Sequence, residues 1–542
     1  MATLDRMIDE PTRSGRFARL FGQRWKGRSI ATTEEVAGGI CHVDCLPEEL
    51  VPLCRWLMQD LGFVLATMVV EEQAEGTGRL LTYVFFNDVD SPWVHVQLHL
   101  ASSVASVPSL TALPHGPSVD WHEREAEDLY GLAFEGHPRL GEFVLHEDWP
   151  EGVNPMRRSF DAHRHVELRD PDPRWEPPTI VTALGAFAMP IGPVFADFAE
   201  SAHFLLETVG EDVIRTIPRF FYKYRGVEKI SEGEPVDRVL LLAERFSGTA
   251  AFAHGLAFCQ AVEAICGSDV PQRGRTLRTV FAELERLRHH AAVIAGICNS
   301  TALAVAASQV SIIEEDLLRL SCAAAGHRYL FGLAKPGGLT RDLSDETCKR
   351  VAETVGEAAA HMRALHQMLR YSSSFLDRLE EVGIVSTEKA LAYGLVGPIA
   401  RASGVARDIR RIFPYAAYAP AKFPIPVEQE GDGYARLRVL FHEVEQSAAL
   451  IRRFLSSMPE GPVCAPAAEW RHGTGLGAVE APHGAAFHWV RLNPDGTVAR
   501  YRITPPSFAN WHGFHLAAEN FAFQDFPIIL ASFGLSNAEC DR

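Results

Sequence analysis

None of the ten cysteines in this 542-residue chain belongs to a CxxC pair. The nearest two, Cys41 and Cys45, have three residues between them and are too isolated to hold a cluster or zinc without partners elsewhere. Scattered through so long a chain, the cysteines also lack the density of a disulfide scaffold, and they are expected to be mostly buried and reduced. Positive charge is short as well: the formal net charge is −17, which argues against nucleic acid or an anionic membrane surface as partner. No G-x-G-x-x-G follows a predicted strand, so no dinucleotide is expected to bind this chain. The N-terminal stretch has no apolar h-region, and no signal peptide is expected. The longest uncharged run, Ala291 to Ile313, has the length of a membrane span, but Asn299, Ser300 and Thr301 interrupt it. Buried helices of a bundle are expected there instead, with no direct membrane span and a cytoplasmic location. There is no fixed-period repeat and no low-complexity stretch.

What is present is an ordinary globular composition, 47% hydrophobic and 22% charged. "VPLCRWLMQDLGFVLATMVVEE" reads as an amphipathic helix running into a strand. "LLTYVFFNDVDSPWVHVQLHLA" reads as a hairpin turning near Asp88–Asp90. "DPDPRWEPP" is proline-rich and extended. Beyond Gly185 a short β-rich piece precedes long helical segments. In "RTLRTVFAELERLRHHAAVIAG" apolar residues recur at helical spacing, with the charges expected on the opposite face. "CKRVAETVGEAAAHMRALHQMLRYSSSFLDRL" and "ARLRVLFHEVEQSAALIRRFLSSM" read as two more helices. The tail returns to strands, with Asn493–Gly496 as a turn. The expected fold class is α+β: an N-terminal α/β domain over 30–165, a linker over 166–184, and a mainly helical domain over 185–542 with small β elements at its N- and C-terminal parts.

Two sets of motifs carry a resemblance. "WHEREAEDLYGLAFEGHPRL" holds Glu123, Arg124, Glu125, Asp128, Leu129, Tyr130, Gly131, Gly136, His137 and Pro138 in the pattern E-R-E, D-L-[FY]-G, G-H-P. It resembles the small peripheral-arm subunit of respiratory complex I. "AERFSGTAAFAHG", "PGGLTRDL", "GDGYARLRV", "GAVEAPHG" and "YRITPPSFANW" follow in the order found in the large subunit of group-4 nickel–iron hydrogenases, of the formate hydrogenlyase and hydrogenase-4 types, and in the quinone-cavity subunit of complex I. The fusion of both modules is similar to the formate hydrogenlyase large subunit.

In such hydrogenases four cysteine thiolates hold nickel, as soft ligands suit that centre. Here the first pair's positions carry Ser247 and Ala250, beside His254. The second pair's carry Ser536 and Glu539 in the ungapped register, and a one-residue gap would bring Cys540 to a ligand position. His483 stands where the family's E-x-P-R-G has its arginine, and no C-terminal extension of the kind clipped after nickel insertion follows Arg542. The resemblance therefore implies a metal cavity without its ligands: no cofactor in this chain, the nickel–iron centre absent, and Ser247, Ala250, His254, His483 and Glu539 at former metal-cavity positions. Locally, Ser247–Ala250 also reads as a tight turn whose serine and glycine cap the next helix.

The complex I relative binds quinone on this scaffold. Its headgroup histidine and tyrosine fall on His203 and Tyr222, and two proton-relaying glutamates fall on Glu200 and Glu228. A phenol and an imidazole can donate to quinone oxygens, and a carboxylate in an apolar cavity has a raised pKa. The plainer readings are a core aromatic for Tyr222, a backbone hydrogen bond for His203, and a salt bridge to Arg225 or Lys229 for Glu228. Arg341 with Asp342, and Arg401 with Asp408, read as buried ion pairs. The resemblance implies an iron–sulfur small subunit that bears a 4Fe–4S cluster, membrane-embedded antiporter-like subunits, and a peripheral place on the inner side of the cell membrane. The leading expectation is electron passage from that cluster to a quinone or similar acceptor without nickel. A structural coupling subunit, with Phe195, His483 and Glu539 filling the cavity, and an active nickel–iron hydrogenase are the alternatives.

Overall fold

The computed structural model describes residues 13–25, 31–35, 39–73, 78–88, 92–163, 165–175, 179–195 and 200–542. The chain divides into two compact units, Met1–Pro171 and Asp172–Arg542.

The first unit runs α1 (Arg13–Arg24), β1 (Ala31–Glu35), β2 (Ile40–Asp44), α2 (Pro47–Arg55), a π-helical turn, β3 (Val64–Glu72), β4 (Gly78–Phe86) and β5 (Trp93–Ala101). It continues with β6 (Ser106–Pro108), α3 (Asp120–Tyr130) and β7 (Ala133–Glu135). Five strands form one sheet in the order β1-β2-β5-β4-β3, with β2 and β5 parallel and the other pairs antiparallel. The hairpin expected around residue 88 is β4–β5; Val89, Asp90 and Ser91 lie outside the described residues. The E-R-E motif explains itself on α3. Buried Glu123 accepts from Leu110 N (2.8 Å) and Ser109 Oγ (2.6 Å). Asp128 Oδ2 accepts from the backbone N–H groups of Phe143, Val144 and Leu145. Gly131 ends the helix at φ 66°, the left-handed cap that glycine adopts without strain. The motif staples two loops to one helix.

The second unit opens with β8 (Ala186–Ile191), β9 (His203–Val209), β10 (Asp212–Arg219), α4 (Val227–Ile230), α5 (Val236–Arg245), α6 (Ala251–Cys266), α7 (Gln272–Ser300) and α8 (Ala304–Ala325). After β11 (Ala334–Lys335) and β12 (Gly338–Leu339) come α9 (Asp345–Leu369), α10 (Ser373–Leu376), α11 (Thr387–Ala392), α12 (Gly397–Ala402), α13 (Ile409–Ile412) and α14 (Gly433–Ser456). The last elements are β13 (Gly473–Ala481), β14 (Gly484–Leu492), β15 (Val498–Thr504), α15 (Pro506–Ala517), β16 (Phe521–Ala522) and α16 (Phe526–Phe533). The fold is α+β, as the sequence pattern implies.

The uncharged run breaks at Ser300–Ala304 into α7 and α8, and no described helix is long and apolar enough to cross a membrane. Helix α7 packs on α8 and α14, and α9 packs on α8 and α14. Helix α6 is apolar nearly all round and buried nearly all round, as such a helix must be. It lies on the antiparallel sheet β13-β14-β15. Gly475 and Gly477 of β13 permit that approach, since a Cβ at either would run into the carbonyls of Ala261 and Ala257.

One expectation is overturned here. The charges of α7 do not face solvent: Arg278, Glu283, Glu285, Arg286 and Arg288 are all buried. Neighbouring elements meet them with opposite charges and backbone polar groups, among them Glu263 (2.5 Å from Arg278) and Arg410 (2.9 Å from Glu283). Helical periodicity separates two chemistries but does not say which of them meets water.

Candidate functional site

The turn Ser247–Ala250 joins α5 to α6. The reading of Ser247 and Gly248 as its helix cap does not hold. Ala250 occupies the N-cap position of α6, with no side-chain cap bond. The cap comes from 33 residues away: Glu285 of α7 accepts from Phe252 N (2.8 Å) and Ala253 N (2.9 Å). Burial pushes the Glu285 carboxyl up to about 7, with the backbone bonds and Arg288 opposing.

Ser247 is left free to turn inward. Its Oγ donates to Glu539 Oε1 at 3.1 Å. The same oxygen lies 3.4 Å from His254 Nε2 and 3.3 Å from His483 Nδ1, the latter contact poorly aligned for a hydrogen bond. Glu539 Oε2 accepts from Ser507 N (3.0 Å), on the first turn of α15, where the helix dipole favours an anion. Burial would raise the Glu539 carboxyl, but His483 and His254 hold it well below the usual carboxylate range. Ser247, Ala250, His254, His483 and Glu539 are all buried. Four of the five residues assigned to the former metal cavity thus meet at one carboxylate, and Ala250 contributes a methyl group and the backbone turn.

These residues do not fit a nickel–iron centre. Two hydroxyls, one methyl and one carboxylate stand where four thiolates are needed, and the oxygens are engaged within the protein. Ser536 Oγ donates to both oxygens of Glu200 (3.1 and 3.0 Å). Glu539, the residue before Cys540, is the one that meets Ser247 and His254; the Cys540 thiol is buried and its pKa driven well above the ordinary value by that burial. Among the described residues no group of three or more His, Cys, Asp or Glu is arranged to hold a metal ion.

Several members of this cluster escape sequence reasoning. His254 Nδ1 lies 2.9 Å from His488 Nε2, and His488 Nδ1 lies 2.7 Å from Tyr501 Oη. On the other side His483 Nε2 lies 2.8 Å from His289 Nε2, and His289 Nδ1 lies 3.3 Å from His290 Nδ1. His290 Nε2 lies 2.8 Å from Glu443 Oε2, and Glu443 Oε1 accepts from Arg401 Nε at 2.7 Å. Burial, then the neighbouring imidazole of His254, holds His488 well below the ordinary histidine value. Burial, then His483, does the same for His289. The one available signal was a polar ring inside otherwise apolar strand and helix segments. A small pocket adjoins the chain, lined by His289, His483, Arg436, Ser532, Pro398 and Phe533.

The second group of candidates lies at one end of the β9–β10 ladder. His203 opens β9 opposite Arg219, and Tyr222 follows three residues beyond that arginine. His203 is half-buried, and burial, then Arg219, lowers its pKa. Tyr222 is 42% exposed, so the core-aromatic reading fails. Glu200 is exposed rather than set in an apolar cavity, and it caps the C-terminal turn through Ser536 Oγ and Ala538 N (2.9 Å). Glu228 is buried, but its partners are not the neighbours Arg225 and Lys229. Arg542 Nε (3.0 Å), Arg502 (3.4 Å) and Ile503 N (3.0 Å) meet its Oε1, because α4 packs against β15. Three-dimensional packing, not the local "RGVEK", supplies the cations.

The other two pairs divide. Arg401 and Asp408 are buried, 3.8 Å apart, in a network with Glu443, Glu480 and Arg410. Arg341 and Asp342 are exposed instead, on the loop before α9, where Asp342 pairs with Arg273 at 2.9 Å.

The family "Respiratory-chain NADH dehydrogenase, 49 Kd subunit" matches residues 308–472 and 466–542, and "Respiratory-chain NADH dehydrogenase, 30 Kd subunit" matches residues 43–166. Formate hydrogenlyase subunit 5 of Escherichia coli is 30% identical over 83% of this chain and 79% of its own length. Hydrogenase-4 component G of the same organism is 29% identical over 83% and 78%. The C/D subunit of the NADH-quinone oxidoreductase of Bdellovibrio bacteriovorus is 26% identical over 97% and 99%.

Proposed function

The chain belongs to the family of group-4-hydrogenase-like fusion subunits that includes formate hydrogenlyase subunit 5, hydrogenase-4 component G and the C/D subunits of NADH-quinone oxidoreductases, and from that premise we propose that it works without nickel. In this reading it passes electrons from a 4Fe–4S cluster on a small partner subunit to a quinone or a similar acceptor. Its place is peripheral, on the inner side of the cell membrane, held there by membrane-embedded antiporter-like subunits. The observation that carries the reading is the Glu539 carboxylate, bonded by Ser247 and Ser507 N and flanked by His254 and His483 where the relatives' metal would stand.

The acceptor is assigned to the other group. His203 and Tyr222 share one end of the β9–β10 ladder, and both reach solvent. A phenol O–H and an imidazole N–H can donate to the two oxygens of a reduced quinone. Glu200 and Glu228 fit positioning roles better than proton relay. Glu200 ties the C-terminal turn to the β8–β9 connection, and Glu228 is engaged by arginines.

The closed packing around Glu539 also favours a second reading, a structural role that couples a cluster protein to membrane subunits. Reduction of a soluble quinone analogue by the assembled complex separates the two. Tyr222→Phe with His203→Ala is expected to depress it strongly, and an unchanged rate supports the structural role. Hydrogen uptake with a dye acceptor is expected to be absent; its presence would restore the nickel–iron hydrogenase alternative.

A further inference from the structure

Arg278, Arg401, Arg410 and Arg542 are buried, and each is answered by a carboxylate: Glu263 at 2.5 Å, Glu443 at 2.7 Å, Asp408 at 2.6 Å and Glu228 at 3.0 Å. Arg288 has the charges of Glu285 and Glu314 beside it. Arg436 on α14 differs. It is 1% exposed, and among the described residues it bonds a hydroxyl and two carbonyls but no carboxylate. Asp432, one turn earlier, is spent on backbone as the N-cap of α14: it accepts from Ala435 N (2.7 Å) and Glu381 N (2.9 Å). Burial pushes the Arg436 pKa down to about 10, with only Asp432 opposing.

The hydrogen bonds of this guanidinium are incomplete as well. Nε donates to Ser532 Oγ (3.0 Å), and Nη1 donates to the carbonyls of Gly383 (2.9 Å) and Gly431 (2.8 Å). Nη2 is buried and has no acceptor among the described residues. The Phe533 ring, 4.7 Å from the guanidinium carbon, offers a π-face but no lone pair. A buried cation without a counter-charge and with a donor unused is costly. A water could take the donor but would leave the charge unanswered.

The same residue borders the small pocket between α7, α12, α14, α16 and the β13–β14 turn. The polar residues lining that pocket are Arg436, His289, His483 and Ser532; the others are apolar, and no aspartate or glutamate lines it. The two imidazoles bond each other at 2.8 Å, and Ser532 Oγ already donates to the Ile529 carbonyl (2.8 Å). The pocket has room for about one water-sized sphere. Phosphate, sulfate and carboxylic acids are too large for it, and a monoatomic anion suits it.

We propose that the pocket beside Arg436 is a halide site, which takes chloride as the counter-ion that the surrounding side chains do not supply. The ion accepts from the guanidinium, and by neutralising it favours the packing of α14 on α7 and α16.

The test is the urea-denaturation midpoint of the assembled complex in potassium chloride, bromide or gluconate at equal ionic strength. Chloride and bromide are expected to raise the midpoint above that in gluconate, and to raise it further as they replace more of the gluconate, as for any ligand bound by the native state alone. Arg436→Met, which keeps an apolar stem and removes the charge, is expected to erase the difference. Equal midpoints in the three salts, or a halide effect kept in the variant, would overturn the proposal. If the variant fails to assemble, anomalous scattering from crystals of the wild-type complex grown in bromide decides. A bromide peak against the Arg436 guanidinium supports the site, and a pocket holding only water overturns it. Neither readout involves electron transfer, so failure of the His203–Tyr222 acceptor reading leaves both unmoved.

Discussion

Two groups of polar residues in the second unit descend from one expectation, that of a cavity, and they differ in almost every physical respect. Around Glu539 the side chains are buried and turned towards each other, and the carboxylate has four protein partners. Around His203 and Tyr222 the side chains reach solvent, and Glu200 is exposed. The first group is locked by its own hydrogen bonds, and exchange with a ligand would cost it several of them. In the second, His203 and Tyr222 reach solvent, where a ligand can approach them. On the proposed reading, oxygen and imidazole groups close the space of lost metal ligands, and the exchangeable chemistry lies elsewhere on the same scaffold.

Substitution sharpens the contrast. Glu539→Ala removes a buried carboxylate and leaves two histidines and two N–H or O–H donors unmatched. A loss of about 3–5 kcal/mol is expected, read from the chemical denaturation midpoint of the purified complex. Glu200→Ala, at the exposed end, is expected to cost no more than about 1 kcal/mol by the same measurement. If the two losses are equal, the contrast fails. Next in size is the functional effect of Tyr222→Phe with His203→Ala. Quinone-analogue reduction is expected to fall about 100-fold, within the range for lost proton donors, while the denaturation midpoint stays put.

The pH dependence of stability should have opposite signs in the two groups. Glu285, which caps the helix carrying His254, has a folded pKa of about 7 against an unfolded value of 4.5, because it is buried. Between those values the folded state binds more protons, so stability falls as pH rises from about 4.5 to about 7. Glu285→Gln should flatten that decline. His203 has a folded pKa below 6.5, lowered by burial and by Arg219. Its contribution therefore grows as pH rises from the folded value towards 6.5. His203→Gln should remove that rise and leave the Glu285 decline intact. A similarly small effect belongs to Ser247→Ala, which deletes one donor to a carboxylate that keeps its others. About 1 kcal/mol is expected in the denaturation midpoint.

Much of this was legible in the sequence, for identifiable reasons. The residues Glu123 to Pro138 name a helix, its cap and two stapled loops because each does a local job. A long uncharged run breaks between Ser300 and Ala304, beside the expected Asn299–Thr301, and Asn493–Gly496 turns a hairpin. The cluster at Glu539 was legible only as a set of positions. That Ser247, His254 and His483 converge on one carboxylate depends on chain segments nearly 300 residues apart. His488, Tyr501, His289 and Glu443 were missed because a histidine in a strand or a glutamate on a helix looks the same whether its partner is water or another buried ring. The charged face of α7 was misplaced for the same reason: periodicity separates polar from apolar, while Glu263, Arg410 and Glu443 are supplied by other elements. The partners of Glu228 follow suit, with Arg502 and Arg542 brought by packing rather than by adjacency.

The central claim is that hydrogen-bonded oxygens and imidazoles have taken the place of a metal centre between residues 247 and 539. Nickel content per chain of the complex, purified from nickel-supplemented cells, tests it most directly. The account predicts nickel far below one atom per chain; one atom per chain would contradict it.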